Sequence, residues 1–406
     1  MLLSWIWFAE LKHIPLLHKH RLLEHFSDPQ TLYDTSDAEL KRLGVSDQYR
    51  KALQEKDVSS AQKILKDCNQ KGIGILTVQD EAYPERLRHI PDAPLVLYYR
   101  GLLPRWDSYP VVGMVGTRKY SAYGLQVARQ MGYEVAASGA IVASGGARGG
   151  DAAGMEGALQ AGGAVVSVMG SGVDVLYPPQ NRRLFEKVLK TGCLISEYPP
   201  GEKGLPWHFP ERNRIISGIS SGVLVVEEPQ KSGALITARY AMEQGRDVFV
   251  VPGNIDNASC VGSNLLLQEG AMPVFSGWDV LENYEFLYPG KLKKQKQEPF
   301  YVNQEPEMRV AERVSEPTAK SENGTTARKN SIDNRPVSTY SVLENKKIAL
   351  CEDEQAVMAL LTHVPQEPAD LMAKLSMPSG KVLSTLTMLS IKGLVQKHPG
   401  GRVSLK

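Results

Sequence analysis

A chain of 406 residues, 42% hydrophobic and 23% charged, is long enough for two or three domains and apolar enough to bury a sizeable core. Its formal net charge of +2 excludes a global basic field, so any polyanion site has to come from local clusters of Arg and Lys. Four scattered cysteines, Cys68, Cys193, Cys260 and Cys351, exclude a zinc ribbon or a disulfide framework and fit a reduced, cytoplasmic setting.

The opening MLLSWIWFAELK is apolar, but it lacks a basic start and Glu10 and Lys12 end it early. It is read as a helix packed on its own domain, neither a signal peptide nor a membrane span. Helical spacing continues in LLHKHRLLEHF, in AELKRLG behind the start signal Ser36-Asp37, and in AQKILKDC, so residues 1–75 form a small helical domain. A DNA-binding helix-hairpin-helix carries a glycine-rich hairpin whose amides meet phosphate. The turn taken to correspond, His13 to Leu17, has no glycine, which favours a packing or partner role. His13, His18, His20 and His25 are too unevenly spaced around Pro15 to share a helical face, so they are read as solvated. No metal or cofactor is expected.

Residues 76–289 form the main body. ILTV, which begins at Ile75 and crosses this boundary, and LVLYY read as strands that add an edge and a cover to a larger sheet. After them VVGMV, AIVAS, AVVSVMG, CLISEY, GVLVVEE, DVFVVPG and MPVF alternate with amphipathic segments such as LQVARQMGYEVAASG and RRLFEKVLKTG. This alternation predicts an α/β class, a Rossmann-like, doubly wound and mostly parallel sheet, with ligands bound beyond the carboxyl ends of the strands. Residues 290–345, rich in Lys, Glu, Pro, Ser and Asn, read as a disordered linker. Residues 346–406 read as three helices closed by a hairpin with Pro-Gly-Gly at its tip, a C-terminal winged helix. Its third helix offers only Lys381 and Lys392 as cations, fewer than a groove-reading helix presents.

Three stretches on the expected rim carry chemistry, all read as loops. Gly116-Thr117-Arg118 follows the first long strand; alone it is more readily a simple turn with Arg118 on a carboxylate, and three such loops on one rim shift the reading toward a ligand site. Ser144-Gly145-Gly146-Ala147-Arg148-Gly149 is a glycine-dense nest suited to phosphate, with Arg148 as a charged donor. It is neither a spaced dinucleotide fingerprint nor a Walker loop. Asp151 behind it is read equally as a helix cap. Phe209-Pro-Glu-Arg212-Asn213-Arg214, preceded by Trp207 and His208, interleaves aromatic rings with guanidinium groups, as single-strand grooves do. The bland alternatives are a core Trp207, an Arg214 paired with Glu197 or Glu227, and an Asn213 that holds a loop. Ser232, Gly233 and Thr237 open a helix and offer donors to phosphate or ordinary capping; Lys231 is expected to be exposed.

GTR, SGGARGGDAA, GSGVDVLYPPQNRRL, LISEYPPG, FPERNRIISGIS, KSGALITA and GRDVFVVPGN, in this order, resemble the DNA-processing protein A family, also called Smf, over residues 72 to 280. The tail resembles that family's winged helix, and the N-terminal module sits where members carry a sterile-alpha-motif-like domain. The resemblance implies a recombination mediator that binds single-stranded DNA entering during natural transformation, protects it, dimerises through the Rossmann-like domain and helps load the RecA-type recombinase. It assigns DNA contacts to Arg118, to the loop from Ser144 to Gly149, and to Phe209, Arg212, Asn213 and Arg214. Gly146 and Gly150 stand where the family has apolar residues and Met155 where His is common; the extra glycine predicts a floppier loop. The expected site is one cationic trough: Arg118, Arg148 and Arg212 on phosphates, Phe209 on a base.

The rival class is an enzyme cleaving nucleoside monophosphates, a phosphoribohydrolase on a related sheet. EEPQKSGALITARYA lacks that group's double glycine and following glutamate, and Asp151, Asp174, Glu197 and Glu227 form no recognisable catalytic pair, so no enzyme activity is expected. A nucleotide-sensing regulator that uses the winged helix on duplex DNA is the third reading.

Overall fold

The computed structural model describes residues 1–295, 352–362, 364, 366–375, 377, 381–382, 385–386, 389–390, 394–397 and 402–405. Two compact units divide the chain, one within residues 1–307 and one within 308–406.

The first unit starts with six helices: α1 (Leu2–Glu10), α2 (Leu16–His25), α3 (Pro29–Asp34), α4 (Asp37–Arg42), α5 (Asp47–Gln54) and α6 (Ser59–Lys71). α4 begins as the sequence predicts, with the Ser36 hydroxyl accepting from the Glu39 amide. α1 buries Trp5, Ile6, Trp7 and Phe8, and its core runs without a break into that of the sheet. The helical module is therefore part of one body with the sheet. A glycine turn does exist in it, three helix junctions later than expected: Gly44, at φ 76°, joins α4 to α5.

Then follow β1 (Gly74–Thr77), α7 (Glu85–Arg88), β2 (Val96–Gly101), β3 (Val111–Val115), α8 (Ala122–Ala137), β4 (Ile141–Ser144), α9 (Gly150–Gln160), β5 (Val165–Val168), α10 (Arg182–Thr191) and β6 (Cys193–Ser196). The body is completed by α11 (His208–Ile219), β7 (Gly222–Val225), α12 (Ala234–Glu243), β8 (Asp247–Val250), α13 (Val261–Gln268), β9 (Met272–Pro273) and α14 (Gly277–Leu281). β3 to β7 are buried along their whole length, as a sheet covered on both faces requires.

The strand order is β1-β2-β6-β5-β4-β3-β7-β8-β9. From β6 to β9 all pairs are parallel, whereas β2 joins β6, and β1 joins β2, antiparallel. The early segment thus contributes two edge strands. The chain winds outward from β3 through β4, β5 and β6, then returns to place β7 on the other side of β3. That reversal makes the β3/β7 boundary the topological switch point, where a crevice opens beyond the strand ends.

Residues 290–295, assigned to the linker by composition, continue along this body. Leu292 is buried and the Lys293 amide donates to the Ser138 carbonyl at 3.0 Å. The rest of the predicted linker lies outside the described residues.

In the second unit, α15 (Glu352–Leu360), α16 (Pro368–Lys374) and the antiparallel pair β10 (Val395–Lys397) and β11 (Val403–Leu405) enclose a core of Val357, Leu361, Leu371, Val382, Leu386, Leu389, Val395 and Val403. Of the two cations on the third predicted helix, Lys381 pairs with Asp353 at 2.8 Å, and Lys392 lies outside the described residues, as does the Pro-Gly-Gly tip.

Candidate nucleic-acid interface

A cleft of about 610 Å³ opens at the switch point. One wall is the β3 loop, with Gly116, Thr117, Arg118 and Lys119; the other is the β7 loop and the start of α12, with Lys231, Ser232, Gly233 and Thr237. Ala147 and Asp151 line it from the β4 side, and Phe209, Arg212 and Asn213 from α11.

Tight packing shapes the loops. The Tyr120 ring lies where a Cβ on Gly116 or Gly150 would stand, and Gly149, at φ 90°, brings its Cα so close that a Cβ would meet the Thr117 carbonyl at 2.7 Å. Gly146, at φ 66°, faces the Phe185 ring in the same way. The extra glycines at 146 and 150 are therefore seats for Phe185 and Tyr120, which corrects the expectation of a floppier loop. Glu227 ties the walls together: its main-chain carbonyl accepts from the Thr117 amide at 3.2 Å and its Oε2 from the Ser121 amide and hydroxyl at 3.1 and 3.0 Å.

The Phe209–Arg214 stretch is the first half of α11 and not a loop. Pro210 reads as a breaker in sequence, yet it falls in the first turn, where the missing N–H has no helical partner to lose. Helical spacing then sends the side chains to different places. Phe209 is half-buried, its ring seated on Gly170 and Gly204, with the Arg118 guanidinium 6.0 Å from its centroid. Asn213 donates to the Gly233 carbonyl at 3.2 Å, bridging α11 to the opposite wall. Arg212 is buried: Nη1 donates to the carbonyls of Gly145 (2.8 Å) and Val168. Burial pushes its pKa down to about 10, with the Asp151 carboxylate opposing that shift. Asp151 in turn has its pKa raised by burial, opposed by Arg212, and accepts from the Ala147 amide at 3.2 Å.

Several predicted contacts are thus removed from the surface. Arg214 is buried in an ion pair with Glu197 at 2.6 Å and Asp92 at 3.1 Å, the first of which was the bland alternative in sequence. The Ser144 hydroxyl donates to the Met114 carbonyl at 2.7 Å beneath the loop, and Gly145 and Gly146 are buried. Arg148 is exposed but outside the cleft lining. The expectation that Arg118, Arg148 and Arg212 form one trough holds for none of the pairs as free phosphate ligands: Arg118 is at the rim, Arg212 at the floor and Arg148 beyond the edge.

What the rim offers instead is Arg118 with Lys119 and Lys231, all exposed and none in an ion pair with a described residue. Lys119 was missed because it adjoins the GTR triplet without belonging to it; its place in a loop beyond a strand end was the available signal. The Thr237 hydroxyl is buried in the first turn of α12 without a hydrogen-bond partner among the described residues. Of the four rim carboxylates named in sequence, Asp174 pairs with Lys71 at 2.6 Å, Glu197 with Arg214, and Glu227 holds Ser121; Asp151 lines the cleft. Trp207 is 58% exposed and so is not a core residue. Among the described residues no group of three or more His, Cys, Asp or Glu is placed to hold a metal ion, and no helix is long and apolar enough to cross a membrane.

This fold and this rim define the class: a Rossmann-like protein whose switch-point cleft is open, cationic at its lip and aromatic on one wall. The model of DNA recombination-mediator protein A matches residues 74–285, and that of the DprA winged helix domain residues 344–401. A protein Smf of Synechocystis sp. is 33% identical over 98% of this chain and 97% of its own length. A DNA processing protein DprA of Streptococcus pneumoniae is 43% identical over 52% of this chain and 74% of its own. The X-ray structure of DNA processing protein A from Streptococcus pneumoniae superposes with a TM-score of 0.61 at 33% identity, covering 69% of this chain and 97% of that one. The chain belongs to the DNA recombination-mediator protein A family.

Proposed function

We propose that the protein is a single-stranded DNA-binding recombination mediator that performs no chemistry on its ligand. The observation that carries this reading is the lip of Arg118, Lys119 and Lys231, free of ion pairs with described residues, beside the half-buried Phe209 ring in a cleft at the switch point. Cations on phosphates and a ring under a base bind an unpaired strand with little sequence preference, and a duplex has no free base face to offer. The α12 start, with Ser232 and Gly233, adds amide donors to the same lip.

Membership of the family extends the reading. The protein holds incoming DNA during natural transformation, acts as a homodimer that sets two such clefts along one strand, and delivers that strand to a RecA-type recombinase in the cytoplasm. Doubling the clefts raises the effective concentration of each along a shared strand.

The test is a titration of single-stranded and duplex oligonucleotides at two ionic strengths. Tighter binding of the single strand, weakening steeply with salt, is expected. Duplex preference would move the function to the winged helix, and release of adenine from AMP would move it to the hydrolytic reading.

A further inference from the structure

Tyr177 is 45% exposed, although it projects from a loop fixed on both sides. On one side the Val175 amide bonds the Gly172 carbonyl at 2.8 Å, and the Ser171 hydroxyl bonds the Val175 carbonyl at 2.7 Å. On the other, Asn181 Nδ2 donates to the carbonyls of Gly146 (2.9 Å) and Ala147 (3.2 Å), which places this loop beside exposed Arg148. The loop that presents the ring to water is thus anchored on both sides of it.

The ring centroid lies 5.3 Å from that of Phe209, tilted by 41°. Holding a base between two rings requires about 7 Å, twice a van der Waals contact, so the pair does not clamp one. The rings instead form one continuous ledge, running from the cleft wall toward the β5 side.

We infer that Tyr177 carries the next base of the strand after the one on Phe209, with Arg148 on the phosphate between them. The inference rests on the single-strand reading of the cleft and adds the strand's direction of exit. It also gives Arg148, which does not line the cleft, a place on the same track.

The experiment compares binding of oligonucleotides of about four and about sixteen nucleotides, the range of single-strand site sizes, by wild type, Tyr177→Ala, Tyr177→Phe, Tyr177→Leu, Trp207→Ala and Tyr133→Ala. Tyr133 is an exposed control near the far end of α8. Tyr177→Ala is expected to weaken every oligonucleotide long enough to set adjacent bases on both rings, the four-nucleotide one included, roughly 5- to 150-fold, with Phe restoring affinity and Leu not. A 2-aminopurine walked along the long oligonucleotide should be quenched at one more position by wild type than by Tyr177→Ala. Wild-type affinity of Tyr177→Ala for both lengths, or equal rescue by Leu and Phe, would overturn the ledge while leaving the cleft standing. Loss with Trp207→Ala alone would place the exit on the other side of Phe209. A wild type that binds neither oligonucleotide would overturn both readings.

Discussion

Arg212 Nη1 donates to the Gly145 carbonyl at 2.8 Å, joining the first turns of α11 to the loop after β4 across 67 residues of sequence. The same nitrogen reaches the Val168 carbonyl at the end of β5, so one guanidinium holds two adjacent strand ends from beneath. A residue placed by motif among the phosphate ligands is thereby a strut under the cleft. Arg212→Ala should destabilise the fold by about 3–5 kcal/mol, because it leaves two buried carbonyls without their donor and the buried Asp151 carboxylate without the positive charge that faces it. Urea unfolding is expected to show a lower midpoint at an unchanged slope. Arg212→Lys should rescue little, since the lysine side chain is one bond shorter and its ammonium, more strongly hydrated than a guanidinium, is costlier to bury. A native midpoint combined with a reduced salt dependence of DNA binding would return Arg212 to the phosphate ligands.

Arg118 differs in every respect that matters: it is exposed, forms no ion pair with a described residue and stands over the Phe209 ring. Arg118→Ala should weaken binding of all single-stranded sequences alike and reduce the slope of log K against log salt by about 0.7, the value for one phosphate on a single strand. Stability should stay within about 0.5 kcal/mol of wild type, as for other surface changes. An unchanged slope would show that no phosphate meets this side chain.

The contrast between these two arginines marks how far the sequence could be read. Buried β-branched runs and the helices between them announced the sheet, because a parallel strand covered on both faces leaves a continuous apolar signature. Strand order is not written in periodicity, so the switch point between β3 and β7 became visible only in the fold. The side chains of α11 illustrate the remaining gap. Pro210 hid a helix start, and with the segment taken as a loop nothing revealed that Phe209, Arg212 and Arg214 diverge to the wall, the floor and an interior ion pair. The glycines at 146 and 150 posed the same problem, since the rings they accommodate, Phe185 and Tyr120, lie in other segments.

Glu228 gives a prediction in pH. Its side chain is fully buried, and burial, reinforced by Asp151 and opposed by the backbone amide of Ala234, pushes its pKa up to about 9. Between the ordinary value of 4.5 and about 9 the folded chain holds a proton there that the unfolded chain has released. Stability from this group therefore falls as pH rises, by about 1.4 kcal/mol per pH unit within that window. Glu228→Gln keeps the shape and removes the charge, so the stability difference between variant and wild type should grow steadily in favour of the variant from pH 5 to pH 9. A difference independent of pH would mean that the carboxyl titrates normally.

Phe209 rests against Gly170 and Gly204, with a Cβ on either standing only 2.8–2.9 Å from the ring. This seat orients the ring but leaves it half-buried toward the cleft. Phe209→Ala should cost about 1–3 kcal/mol of single-strand affinity at every ionic strength, leaving the salt slope as it was, because stacking releases no counterions. An altered slope would mean that the ring acts by positioning Arg118, whose guanidinium lies above it.

The segment from Gly290 to Gln295 decides where the folded body can be cut. At the end of α8 the carbonyls of Ala137 and Ser138 lack helical partners; Gln295 Nε2 donates to the first at 2.8 Å and the Lys293 amide to the second at 3.0 Å. Leu292 between them is buried, and Lys291 lies 5.0 Å from the centre of the Tyr109 ring. A chain ending at residue 289 loses this strap and should be less stable than one ending at residue 295 by about 2–5 kcal/mol, the sum of one buried leucine and two helix-end hydrogen bonds. Thermal unfolding of the two truncations measures that difference. Below both midpoints they should bind a single-stranded oligonucleotide equally, since the strap touches the end of α8 remote from the cleft. If the chain ending at 295 folds but binds no DNA, the winged-helix unit holds the binding site and the cleft does not.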